Sequence, residues 1–143
     1  MAAAQSQLGV PYVWGGTAWG SGLDCSGLTS GCWSRAVGIW IGRTTWDQIA
    51  SAQWTGSVSE AQAGDVYACG SHVAIATGGG GYIHAPQPGE VVCYSSLSWY
   101  NPSTAPCAGT KRELERHRPG RCLFFAKGVH EVEKSACIVR RVC

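Results

Sequence analysis

The sequence predicts an α+β fold, with helices first and an antiparallel sheet after them. Helix-compatible segments with polar caps fill the first 52 residues. Short alternating segments, separated by Gly-rich turns, fill residues 65–94. The two kinds of segment do not interleave, which argues against an alternating α/β arrangement.

Residues 2–9 are Ala- and Gln-rich and read as a short helix, followed by a Gly/Trp loop from Pro11 to Gly22. Asp24 is placed to cap a helix from Cys25 to about Ala36, because a carboxylate accepts the free N–H groups of a first turn. Gly38 is its natural stop. Thr44–Ala52 reads as another helix, capped by Thr44 or Thr45. Strands are then expected at Asp65–Cys69, His72–Thr77, Tyr82–His84 and Glu90–Tyr94, with Gly78–Gly81 as a turn. Strands this close together pair as an antiparallel meander. Beyond Asn101-Pro102 the pattern changes to a charged run from Lys111 to Arg118 and an apolar Cys122–Ala126, a candidate strand.

The chain has 143 residues, one domain's worth, and no apolar run long enough to span a bilayer. Residues 1–110 hold two basic and five acidic residues, a net −3. Residues 111–143 hold nine basic and four acidic, a net +5. That basic tail reads as solvated charge rather than a nucleic-acid surface. Met1-Ala-Ala-Ala-Gln-Ser lacks the basic and apolar regions of a signal peptide, so a piece of a longer exported protein is expected. Eight cysteines, less one reactive thiol, leave an odd seven, so the set reads as mostly reduced.

The chemistry centres on Asp24-Cys-Ser-Gly-Leu28. A thiol in a helical first turn feels the positive end of the helix dipole, which lowers its pKa. Of four histidines, His117 and His130 lie in the tail, whereas His72 opens one predicted strand and His84 closes the next. Antiparallel pairing brings those two positions to one end of a hairpin. One imidazole can then take the thiol proton while the other fixes its tautomer.

Six blocks in order carry a resemblance: Pro11-Tyr-Val-Trp-Gly-Gly16, Asp24-Cys-Ser-Gly-Leu28, Arg43-Thr-Thr-Trp-Asp-Gln48, Ala63-Gly-Asp65, Ser71-His-Val-Ala-Ile75 and Ile83-His-Ala-Pro86. From about Ala4 to Trp99 the chain resembles the NlpC-type cell-wall peptidases, which are papain-like cysteine enzymes. The resemblance implies hydrolysis of the γ-D-glutamyl–diamino acid bond in bacterial peptidoglycan stem peptides, without a cofactor or metal, at the cell wall or outside the cell. It implies Cys25 as nucleophile, His72 as base and His84 as third polar residue. It puts Tyr12 beside the scissile carbonyl, and Trp14, Asp24, Ser26 and Thr45 around the substrate, with Asp24 a candidate holder of a substrate amine. The family core ends with a further strand carrying basic residues. Here either Cys122–Ala126 supplies it or residues 102–143 are a basic, Cys-rich tail foreign to a peptidase domain at 1–101.

Two other classes compete. Cys69, His72, His84 and Cys93 are ligand types that zinc accepts, although their spacing is unlike a knuckle. A latent wall-binding domain would arise if the tail covered the cleft or a disulfide captured Cys25.

Overall fold

The computed structural model describes residues 1–52, 54–57, 60–69, 71–97 and 137–140. His117, His130, the Lys111–Arg118 run and the candidate strand Cys122–Ala126 lie outside them.

Three helices come first: α1 (Ala2–Gln5), α2 (Cys25–Val37) and α3 (Thr45–Ala50). Between α1 and α2 a two-residue hairpin forms from β1 (Thr17–Ala18) and β2 (Gly22–Leu23). The main sheet is built from β3 (Trp54–Ser57), β4 (Val66–Cys69), β5 (His72–Gly78), β6 (Gly81–His84), β7 (Cys93–Ser96) and β8 (Cys137–Arg140). Its spatial order is β3-β8-β4-β5-β6-β7, with every neighbouring pair antiparallel.

The helix caps follow the sequence. Asp24 Oδ1 accepts from the Gly27 N–H at 2.6 Å and starts α2, and Gly38 ends it at φ +72°. Thr44 and Asp47 form a reciprocal capping box at the start of α3. The β5–β6 turn runs through Gly78, Gly79 and Gly80 at φ +85°, +62° and +83°, a sequence of left-handed conformations that side chains with a Cβ resist.

Three expectations change. The first helix stops at Gln5 rather than residue 9, because the chain must turn to pair with residues 90–92: Gly9 donates to Val92 O and Val92 to Val10 O. For the same reason the last meander strand begins at Cys93, not Glu90; Tyr12 N–H takes the Glu90 carbonyl at 2.8 Å. A strand the sequence did not lead one to expect, β8, inserts between β3 and β4 and so closes what would be a sheet edge.

α2 packs on the central strand β5. Leu23, Leu28, Val73 and Ile83 are fully buried between them, with Val66, Ile75 and Val92 nearly so. Each such side chain contributes roughly 1.5–3 kcal/mol by leaving water. Strand alternation then has a consequence for the site: Val73 and Ile83 face the core, so their neighbours His72 and His84 project from the opposite side of the backbone. Among the described residues, no helix is long and apolar enough to cross a membrane.

Candidate active site

Cys25 is the first residue of α2 and is 9% exposed. It stands where the helix meets the start of β5, because the Val73 N–H, one residue beyond His72, bonds its sulfur. The Ser26 N–H bonds it as well, and the Thr45 hydroxyl lies against it. Thr45 is held in place from behind, donating to the Ser71 carbonyl at 3.1 Å. Two elements far apart in sequence, the α3 N-terminus and the β4–β5 turn, thus converge on one thiol.

The hairpin brings the histidines together as expected. His72 Nε2 and His84 Nδ1 lie 2.9 Å apart, with ring planes at 85°. His84 Nε2 lies 3.2 Å from Ser95 Oγ on β7. His72 has spent one ring nitrogen on His84, so Nδ1 is the one left for a proton from elsewhere.

Electrostatics amend one expectation. Burial pushes the Cys25 thiol above its ordinary value, and the nearby Asp24 charge adds to this. The polar groups at the sulfur, the Val73 N–H foremost, pull the other way without overcoming it. Desolvation at the packed foot of α2 therefore outweighs the polar groups around the sulfur. Burial pushes His72 down to about 4, with His84 reinforcing the shift, and burial pushes His84 down to about 4 against an opposing pull from Glu90. At neutral pH the Cys25 thiol and both imidazoles rest uncharged.

This has a stability consequence. The folded values lie below the ordinary 6.5, so the unfolded chain binds protons that the folded chain refuses once pH drops below that value. Stability is expected to be full above pH 6.5 and to fall as pH drops toward about 4, by up to about 3 kcal/mol per histidine. Urea midpoints measured between pH 7 and 4.5 check this. A His84→Asn protein, with one fewer group to protonate, should lose less across that window.

Asp24 serves the chain itself. Its Oδ1 accepts from Gly27 N, from Ser26 Oγ at 3.0 Å and from Arg43 Nη1 at 3.2 Å, while Oδ2 receives Arg43 Nη2 at 2.8 Å. Arg43 also donates to Ser26 Oγ at 3.0 Å. Pairing with Asp24 raises the Arg43 guanidinium above its ordinary value. The carboxylate expected to meet a substrate amine is thus already neutralised in a two-pronged ion pair, and Ser26 is bound into the same cluster. Arg43 was legible as a motif residue but its partner was not, since 19 positions separate them.

Tyr12 lies close enough to Cys25 and Asp24 for their charges to raise its phenol, after the larger effect of burial. Trp14 is 84% exposed and belongs to the surface, not the core. Cys25, Cys32 and Cys93 are free thiols, so the disulfide that would make the protein latent is not formed at Cys25. Among the described residues no three His, Cys, Asp or Glu side chains are grouped to hold a metal; the Cys69 side chain of the zinc alternative lies outside them. Residues that sequence reasoning missed are Ser95, on an unremarkable Ser-Ser pair, and Gln48, whose place in the Arg43–Gln48 block gave no role.

A profile of the NlpC/P60 family matches residues 9–108. Protein P54 of Enterococcus faecium is 49% identical over 110 residues, which are 73% of this chain and 21% of that protein. The gamma-DL-glutamyl hydrolase of Bacillus subtilis is 36% identical over 102 residues, 66% of this chain and 24% of that protein. The chain therefore spans about a fifth to a quarter of these two relatives. Among solved structures, the NlpC/p60 domain of the peptidoglycan hydrolase SagA superposes with a TM-score of 0.65 at 50% identity, covering 69% of this chain and 87% of that one. The α+β arrangement, with a cysteine-bearing helix against an antiparallel sheet, is the papain-like one expected.

Proposed function

The chain belongs to the NlpC/P60 family, a family of cysteine peptidases, and on that premise we propose that it is an endopeptidase of bacterial peptidoglycan that cuts the γ-D-glutamyl–diamino acid bond of stem peptides. The single observation that carries the catalytic part is the His72–His84 contact at 2.9 Å, beside the strand start whose N–H bonds the Cys25 sulfur. The bond assignment leans on the relative named gamma-DL-glutamyl hydrolase.

In this reading Cys25 is the nucleophile. His72 Nδ1 takes its proton as the sulfur attacks the γ-glutamyl carbonyl, and His84 steadies the imidazolium through Nε2 of His72. The oxyanion is met by the Cys25 N–H, which as the first in α2 has no carbonyl one turn back, and by the Tyr12 hydroxyl. His72 then protonates the leaving amine, and water releases the acyl group from sulfur. Neutral resting groups suit this order, because charge appears only when the carbonyl accepts it. Trp14, Ser26 and Thr45 border the substrate, with Asp24 holding the site in shape through Arg43. Residues 1–101 carry the peptidase, residues 102–143 form a basic, Cys-rich segment that also supplies β8, and the place of action is the cell wall or the outside of the cell.

Digestion of purified peptidoglycan, with fragments identified by mass, tests the proposal. New ends at the γ-D-glutamyl bond are expected from the wild type and not from Cys25→Ala. Cuts at another peptide bond would discard the bond assignment alone. Identical fragments from both proteins would discard the enzyme.

A further inference from the structure

We propose that Ser95 is a positioning residue: its hydroxyl oxygen accepts the Nε2 proton of His84 and thereby fixes both histidines in the tautomers that leave His72 Nδ1 able to accept a proton. The inference deepens the peptidase reading and rests on it for its kinetic consequence, though not for its spectroscopic one.

The argument follows from counting protons. A neutral imidazole carries one N–H, and the contact between His72 Nε2 and His84 Nδ1 can be donated from either side. If His72 donates, its Nδ1 has a lone pair, His84 carries its proton on Nε2, and that proton needs an acceptor. If His84 donates, His72 carries its proton on Nδ1 and cannot receive another there. The whole chain of bonds therefore runs in one of two directions, and its far end decides which.

The far end is Ser95 Oγ, 3.2 Å from His84 Nε2. Strand register places it there: His84 pairs with Cys93 and Tyr82 with Ser95, so all four side chains share one face of the sheet. A serine hydroxyl accepts on its lone pairs while it donates, but it has only one proton to give. The Cys93 sulfur, on the residue paired with His84, is an acceptor for that proton, and a Ser95 bond there eases a thiol that burial and Glu90 push upward. The oxygen lone pairs are then left for His84. The Tyr82 ring, edge-on to His84 with centroids 5.0 Å apart, flanks the imidazole and limits its rotation away from the bond. His84 itself is 4% exposed, so water is poorly placed to substitute.

The test uses histidine labelled with nitrogen-15, whose two-bond proton couplings distinguish the tautomers, at pH 7 in the wild type, Ser95→Ala and Ser95→Thr. In the wild type both His72 and His84 should be protonated on Nε2. Ser95→Ala should show a mixture at both rings and a kcat on peptidoglycan lower by about tenfold with little change in KM. Ser95→Thr, which keeps the hydroxyl, should restore both readings. A wild-type His84 protonated on Nδ1 overturns the inference, and so does Ser95→Ala with unchanged tautomers, whatever its rate. Should Ser95→Ala fail to fold, the wild-type and Ser95→Thr spectra still decide. A wild type without any cleavage would sink the proposed function and leave the tautomer result standing on its own.

Discussion

Cys25→Ala, His72→Ala and the double variant are expected to share one residual rate on peptidoglycan, on the order of ten-thousandfold or more below the wild type. The reason lies in the protonation states. Burial holds the Cys25 thiol above its ordinary pKa and His72 well below its own, so neither is charged at neutral pH. A thiol kept protonated by desolvation is a weak nucleophile until a base removes its proton. Without His72 the sulfur stays protonated, and without the sulfur His72 has nothing to activate. Losses from two residues that act as one unit do not add. Single-turnover rates for the three proteins check this. A double variant much slower than either single one would mean that the two residues work separately. His84→Ala should cost less than either, because it removes orientation and leaves the base in place.

Gln48→Glu is expected to destabilise the fold by about 3–5 kcal/mol at pH 7, the larger of two effects at this position. Gln48 is fully buried, and its side chain ties α3 to the first turns of α2. Its oxygen accepts from Thr29 Oγ1 at 2.7 Å. Its nitrogen donates to Ser26 O at 2.9 Å and Ser30 Oγ at 2.8 Å, with Gly42 O at 3.4 Å. Glutamate has nearly the same shape but presents an oxygen where the amide nitrogen faced two carbonyls, and it buries a charge with no cation among those partners. Gln48→Leu removes the bonds without adding charge and should cost about 1–3 kcal/mol. Denaturant unfolding followed by circular dichroism compares the two. The glutamate penalty should shrink as pH falls toward 4.5, since protonation removes the buried charge, whereas the leucine penalty should track the wild type. A glutamate penalty that is equal at both pH values would show that the lost amide hydrogen bonds, not the charge, govern the site.

The parts of this protein that sequence made readable are those set by short-range geometry. The Asp24 cap, the α2 stop at Gly38 and the Thr44 capping box depend on residues within one or two turns. The pairing of His72 with His84 depends on a single tight hairpin, so twelve residues of chain sufficed to foresee the 2.9 Å contact. The strand β3 was not foreseen, because Trp54-Thr-Gly-Ser57 has no alternation to betray it and exists through its pairing with β8. The start of β7 was misjudged because Glu90–Val92 is claimed by the N-terminal segment.

The sequence by itself determined the order of helices and sheet, the place of the Cys25 thiol behind a capping carboxylate and the meeting of two histidines, because each follows from local backbone rules. Only the tertiary structure decided what surrounds them. It joined Asp24 to Arg43, brought Thr45 and the Val73 N–H onto the Cys25 sulfur, set Ser95 against His84 and slotted β8 into the sheet. It also reversed the expected direction of the thiol's pKa shift. Hydrogen bonds between distant segments and the removal of water are properties of the packed chain, and it is desolvation, not sequence position, that pushes the Cys25 thiol up and both histidines down, each toward its neutral form.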